Sequence, residues 1–578
     1  MEQTGSLTGA EAVVEMLKAH GVEMIFGLCG DTSLPFYDAL ARLPHGMRHI
    51  LTRDERSAAY MADGYARVSG KVGVCEGPSG GGATYILPGL AEANESSVPV
   101  LGINSDISVA SRGRYALTAL DQGALMRPVT KWNTVLDRTE DIPQMFRTAF
   151  KQMTTGRPGA AHIALPFDVQ NGAVDRADVF GDAAFGRYPA ERVAPDPNCV
   201  EQAAKLLRDA AHPLFICGGG AVIASAEPEL LELAERLSAP VATTISGKGS
   251  INEEHPLAVG VVGSNGGTPE TRAMVDQADL IIFVGCRAGS VTTERWRHPV
   301  PGKVRVIHLD VDSAVMGVNY PAEVALVSDA KLTLAALNGA LATVRRPLEA
   351  SEVERAQEQK FAKFHALAES GDKPIKPERV VAALSQALDP DALVVADAGT
   401  PCPYLSAYYQ LRGTDRPAPV CRATGRRSPA GGRFFSNRAH GALGYSLPAA
   451  IGAHFARPQV KCVSVMGDGS FGFTCGELET AARYRLPITF IVISNATYGW
   501  IKAGQKSGYG RRYFAVDFNS TDHAAVAAVF GVKSWRVTEP VDLRKALKQA
   551  LANGGPSLVD IVCQPLHEAN APVSEWIA

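Results

Sequence analysis

Along most of the chain, short β-branched apolar runs alternate with longer stretches whose apolar residues recur at helical spacing. GAEAVVEMLKAHGV (9–22) has the helical period, and EMIFGLCG (23–30) is a buried run that stops on glycine. GKVGVCEGPSG, VPVLGINSD and GAAHIALPFDV continue the strand series, each closed by turn residues. HPLFICGGG, PVATTISGKG, DLIIFVGCR and VRVIHLDVD form a second series, and ALVVADAG, KCVSVMGDG, ITFIVISN and SLVDIVC a third. Fully apolar strands spaced by helices are the signature of parallel sheets covered on both faces. A proline-rich stretch, YPAERVAPDPN (188–198), and a charged helical one, ASEVERAQEQKFAKFHALAESGDKPIKPE, separate the series. The pattern predicts an α/β chain of three doubly wound parallel-sheet domains, 1–187, 195–345 and 375–578.

Composition narrows the classes. Apolar residues make up 46% and charged residues 20% of the 578, which suits a globular protein with large cores. A net charge of −3 gives no reason to invoke nucleic acid or a membrane surface. The 10 cysteines are scattered with no CxxC pair, which argues against zinc and a disulfide framework and for reduced thiols in a cytoplasmic enzyme. The N-terminus lacks the basic and apolar regions of a signal peptide, and no uncharged apolar run approaches the roughly 20 residues of a membrane span.

The stretch MGDGSFGFTCGELETAARYRLPITFIVISNATYGW (466–500) sets a carboxylate and a carboxamide at two strand ends. A buried strand runs into Gly-Asp-Gly, a helical segment follows, and a second strand closes on Asn495. Ligands of α/β sheets bind outside the carboxyl ends of the strands. If the two strands are neighbours, Asp468 and Asn495 point into one crevice. Two oxygen donors there suit Mg²⁺, which takes its other oxygens from phosphate and water. Gly467 and Gly469 let the backbone approach a phosphate closely. A tight turn with a capping aspartate has the same spelling.

With that motif, three further segments carry a resemblance. FGLCGDTSLPFYDAL (26–40), TRDERSAAYMADGYARVSGKVGVCEGPSGGGATYILPGLAEANESSVPVLGI (52–103) and HGALGYSLPAAIGAHFARP (440–458) resemble the thiamine-diphosphate-dependent superfamily of acetolactate synthase, pyruvate decarboxylase and benzoylformate decarboxylase. The resemblance implies a pyrimidine-binding, a central and a diphosphate-binding domain, and a homodimer or homotetramer with the cofactor clamped between subunits. It implies Mg²⁺ on Asp468, Asn495 and the Thr497 carbonyl. Gly399, Thr400, Gly467, Gly469, Ser470, Tyr498 and Gly499 would line the diphosphate, with Gly30 at the pyrimidine side. Leu443 would be the apolar wedge that bends the cofactor, with Gly441 beside it. Glu55 matches the glutamate that hydrogen-bonds the pyrimidine ring. Where the family often reads Asn-Asn, this chain has Ser494 and Asn495. The implied reaction is decarboxylation of a 2-oxo acid, followed by protonation or carboligation of the carbanion/enamine. The alternatives are a CoA-dependent 2-hydroxyacyl-CoA lyase or oxalyl-CoA decarboxylase, and an FAD-containing oxidase.

The substrate side matches no one subfamily. Asp31 resembles the active-site aspartate of the pyruvate-type decarboxylases, but their His-His pair is missing. Pro78 stands where benzoylformate decarboxylases have His, and Leu117-Thr118 where acetolactate synthases have Phe-Gln. Asp31 and His440 are the candidate proton-transfer groups, with helix capping the plain alternative for Asp31. CRATGRRSPAGGRFFSNR (421–438) has five arginines in a glycine-rich loop, suited to an anionic group, a subunit contact or solvent. The glycines after HPLFIC are a weak nucleotide signal, and GCRAGSVTTERW lacks the pattern that would go with FAD, so FAD is doubtful.

Overall fold

A computed structural model describes residues 5–412 and 433–576. It contains three six-stranded sheets, and every pairing within them is parallel. The first runs from Met24 to Pro166, the second from Pro213 to Val327 and the third from Leu393 to Val562. Numbered along the chain within each sheet, the strand order is 2-1-3-4-6-5 in the first and third and 3-2-1-4-5-6 in the second. An antiparallel ribbon of Ser6–Thr8 with Ala173–Asp175 is the only other sheet among the described residues. The sequence pattern finds four strands in each series. The two it misses in each sheet include the edge strands, which are short or half-exposed and so lack a continuous apolar run, as in Arg48–Leu51 and Trp132–Val135.

In each sheet the strand order reverses beside the first strand. The first sheet turns between Met24–Gly27 and Gly73–Gly77, and the third between Leu393–Ala396 and Cys462–Gly467. Such reversals open a crevice at the carboxyl ends of the strands.

The chain divides into two compact units. One holds the chain up to Glu191 together with Asn437–Pro458 and Thr474–Tyr484, and the other holds the rest. Two helices of the third block, Ser446–Ala456 and Glu477–Arg483, therefore belong to the first unit. Small residues explain the first of them. A Cβ on Gly64 would stand 2.1 Å from the Ala449 carbonyl, and one on Gly452 would stand 1.9 Å from the Met61 carbonyl. The Glu55–Ser69 and Ser446–Ala456 helices thus cross with their backbones in contact, a closeness that only glycine at those two positions allows. We propose 1–187, 195–345 and 375–578 as the domains, each around its own sheet.

Candidate active site

At the reversal of the third sheet, the Cys462–Gly467 and Ile488–Ser494 strands are direct neighbours, with Gly467 opposite Ile493. Asp468 and Asn495 therefore leave the sheet side by side. Asp468 is buried; its Oδ2 accepts from the Asn495 and Ala496 amides at 2.7 and 2.6 Å, and its Oδ1 accepts from the Gly469 amide at 2.9 Å. Burial raises its pKa, and those three amides only partly oppose the rise. Asn495 Oδ1 is buried with no hydrogen-bond partner. Ala496 sits at φ 54°, a left-handed conformation that costs a non-glycine residue about 1–2 kcal/mol. The turn is held there by Phe518 N donating to the Ala496 carbonyl and by Tyr498 N and Thr497 Oγ1 donating to Val516 O. The Tyr498 ring occupies the space that a Cβ on Gly469 would need, 2.8 Å away. Gly399 (φ 96°) and buried Thr400 follow the first strand on the other side of the reversal. Open space flanks Gly399 and Gly467.

Ser494 has its own reason. Its hydroxyl donates to Asp560 Oδ1 and lies 2.9 Å from His523 Nδ1, which is left to donate to it. Asp560 Oδ2 also accepts from the His523 amide and from Arg536 Nη1. Burial pushes the Asp560 pKa up, but His523, Ser494 and Arg536 outweigh it and hold it below the usual carboxylate range. The serine thus ties the strand end beneath Asn495 to a buried polar network.

In the first unit, Glu55 opens its helix after the cap Asp54, whose side chain accepts from Arg56 N. It is 7% exposed, and burial raises its pKa. Glu477 fixes the approach to that helix: its Oε1 accepts from Arg53 N at 2.9 Å and its Oε2 from the Thr480 hydroxyl. The loop carrying His440, Gly441 and Leu443 is held by buried Glu92, whose carboxylate accepts from the backbone amides of Ala439, His440 and Gly441 and from Ser96 Oγ. Arg67 links Glu92 to Asp63, and Tyr445 donates to Asp63. Glu92→Ala leaves a buried guanidinium and three amides without that carboxylate. Its expected cost is about 3–5 kcal/mol in urea unfolding of the protein, against less than 1 for half-buried Glu95.

Glu92, Asp63, Tyr445, Glu477, His523 and Asp560 escape a reading of the sequence, since each sits in a helix or strand, or for Tyr445 just before a helix, where a polar residue is unremarkable. Asp31 and His440 are both exposed. Asp31 begins a 3₁₀ turn and caps Thr32 N; the following helix has Ser33, not Asp31, at its N-cap, so the capping alternative takes a different form from the one expected. Thr118 Oγ1 lies 2.7 Å from Ser79 Oγ. Of the arginine-rich run, residues 421–432 lie outside the described residues. Its end is an edge strand rather than a loop, Arg433–Ser436 pairing with Leu393–Ala396. In the central sheet the glycines after Cys217 serve backbone contact: a Cβ on Gly220 would stand 2.6 Å from Gly285 Cα, and Gly220 N donates to Gly285 O.

Comparison with known proteins now bears on the two crevices. Residues 7–125, 200–337 and 421–561 match the models of the thiamine pyrophosphate enzyme N-terminal TPP binding domain, central domain and C-terminal TPP binding domain. The chain is 36% identical over 568 residues to a probable acetolactate synthase large subunit of Methanocaldococcus jannaschii, covering 97% of this chain and 92% of that one. The chain belongs to the thiamine pyrophosphate enzyme family. To the acetolactate synthase isozyme 3 large subunit of Escherichia coli this thiamine pyrophosphate enzyme is 31% identical over 553 residues, 94% of it and 92% of the relative. To the acetolactate synthase of Arthrospira platensis it is 32% identical over 570 residues, 96% and 94% of the two chains. Its cofactor is thiamine diphosphate, with Mg²⁺ the family's usual cation.

The third-sheet turn fits that pair of groups. Among the described residues no cluster of three His, Cys, Asp or Glu side chains exists to hold a metal. One buried carboxylate next to one unpartnered amide oxygen is the donor set of a cation that completes its shell with phosphate and water. No helix among the described residues is long and apolar enough to cross a membrane.

Proposed function

We propose that the chain is an acetolactate synthase-like enzyme that decarboxylates a 2-oxo acid and joins the remainder to a second carbonyl compound. When bound, thiamine diphosphate supplies the nucleophilic carbon and the electron sink for breaking the bond to CO₂. Asp468, Asn495 Oδ1 and the Thr497 carbonyl would hold Mg²⁺. Gly399, Thr400, Gly467, Gly469, Ser470, Tyr498 and Gly499 would line the diphosphate, and Gly30, Gly441 and Leu443 the pyrimidine end.

Glu55 would hold a proton at the ring nitrogen of the pyrimidine, a task that needs a carboxyl still partly protonated at neutral pH. The observation that carries this reading is the burial of Glu55, which raises its pKa while leaving it at the head of a rigid helix. Asp31 and His440 are the proposed proton-transfer groups toward substrate, and their exposure leaves them accessible to one.

The assembly we propose is a homodimer or homotetramer. Tyr115 (101% exposed) and Leu117 (85%) stand on the segment tied to Ser79 through Thr118, and Ser79 is tied in turn to Thr32, two residues from exposed Leu34. An apolar patch of that kind at the end of the first sheet suits burial against another subunit.

The test strips the protein with a chelator, restores thiamine diphosphate and Mg²⁺, and follows CO₂ release over a panel of 2-oxo acids. Restored protein is expected to release CO₂ from at least one acid, stripped protein from none, and light scattering is expected to give a dimer or tetramer. Silence on every acid sinks the reaction, and a monomer sinks the assembly.

A further inference from the structure

The Glu55 end of the site contains a second carboxyl to which the proposed function gives no role. Glu76 is the penultimate residue of the Gly73–Gly77 strand, at the reversal of the first sheet, and is 1% exposed. Its Oε2 accepts from the Tyr37 hydroxyl at 2.7 Å, and that hydroxyl lies 3.0 Å from His49 Nε2. The Tyr37 and His49 rings meet edge-on at 5.1 Å. His49 is only half-buried, so the three groups run from the sealed strand end toward water. Glu76 Oε1 is buried with no hydrogen-bond partner. The next residue, Gly77, lies against Glu55: a Cβ there would stand 3.0 Å from Glu55 Cγ.

The groups acting on Glu76 are Cys75 from its own strand, Cys29 and Ser33 from the loop after the first strand, Tyr37 from the following helix, and Glu55. None of them is a cation. Burial pushes the His49 pKa down to about 4, so His49 is neutral at pH 7 and supplies no positive charge either. Burial first, and the Glu55 charge with it, push the Glu76 carboxyl up to about 8 against the hydrogen bond from Tyr37 and the pull of the nearby Ser33 hydroxyl. Neighbouring buried carboxyls do not ionise together. When Glu55 is ionised, Glu76 is the one that keeps its proton.

We propose that Glu76 is the proton reserve of this site, a positioning residue that keeps a proton beside Glu55 and exchanges it with solvent through Tyr37 and His49. The inference rests on the role proposed for Glu55. Outward, with Glu76 protonated and the Tyr37 hydroxyl turned from Glu76 to His49, the Glu76 carboxyl proton passes to the Tyr37 oxygen as the Tyr37 hydroxyl proton passes to His49 Nε2. His49 then gives its Nδ1 proton to water. Only O–H and N–H bonds change, and the net transfer is one proton between Glu76 and solvent.

Two measurements test it. In ligand-free protein, the infrared difference between wild type and Glu76→Gln is expected to show a protonated-carboxyl band that fades as pH rises through about 8. In protein loaded with thiamine diphosphate and Mg²⁺ but no substrate, exchange of the cofactor C2 proton with D₂O is expected to slow as pH rises through the same value. In Glu76→Gln that exchange should be about tenfold slower and flat across the range. Tyr37→Phe should keep the band and lose the rate. A difference spectrum without the band, or a Gln variant with the wild-type rate and its alkaline fall, overturns the proposal. If Glu76→Gln does not fold, an unchanged exchange rate in Tyr37→Phe overturns it alone. If wild type exchanges no C2 proton at all, the Glu55 assignment fails, and the band, sought in wild type against Glu76→Gln, still decides whether Glu76 carries the reserve.

Discussion

Glu55→Gln is expected to lower turnover by about 10²–10⁴-fold, the range for losing a positioned acid or base, with substrate KM and cofactor affinity changed only a few-fold. The amide matches the carboxyl in size, so the fold is left alone, but it neither gives nor takes a proton. The pH dependence of stability separates this from a packing defect. The Glu55 pKa is raised in the folded protein by burial, so the folded state binds the proton more tightly than the unfolded chain. Stability contributed by that proton is full below the unfolded value and is lost as pH rises through the folded one. Thermal melts of the ligand-free protein should therefore show wild type falling relative to Glu55→Gln as pH rises above the ordinary glutamate range. Full turnover in the Gln variant removes Glu55 from the chemistry.

That Glu55 is a candidate at all shows what the sequence can and cannot convey. In TRDERSAAYMADGYARVSG the glutamate lies in a charged run that by composition belongs on a surface. Burial comes from elements about 20 to 420 residues away: Gly77 beside it on one strand, Glu477 fixing the entry to its helix, and Gly452 letting a second helix close on the first. Only the resemblance of the flanking segments singles it out. The third-sheet motif is different, because Gly-Asp-Gly and the strand-end asparagine are local in sequence, and neighbouring parallel strands bring them together with no further information. The paired strands fulfil the one condition on which that reading depends. The shared 2-1-3-4-6-5 order of the first and third sheets, by contrast, is written in no periodicity, since strand order follows from which helices cover which face. Glu92 and Asp560 stay hidden for the same reason as Glu55: a buried carboxylate is spelled like an exposed one, and only its partners distinguish them.

Asp468→Asn is expected to abolish the stabilisation that thiamine diphosphate and Mg²⁺ confer. At 100 times its Kd a ligand stabilises by about 2.7 kcal/mol. Loss of a partner that merely orients a metal ligand costs about 10–100-fold in metal affinity, so loss of a ligand itself should exceed that and leave no shift in Tm at the same concentration. The pH dependence makes the assignment specific. Without a cation, burial holds the Asp468 pKa above its ordinary value, so the ligand-free protein loses stability as pH rises through that window. A bound cation inverts the sign: it favours the carboxylate, pulls the pKa below the unfolded value and adds stability as pH rises. The gap in Tm between loaded and ligand-free wild type should therefore widen from acid toward neutral pH. In Asp468→Asn there is no carboxylate to titrate, and the gap should be absent at every pH. A variant whose gap persists and still widens places the cation on other residues, because Asn495 Oδ1 and the Thr497 carbonyl carry no proton that titrates in this range.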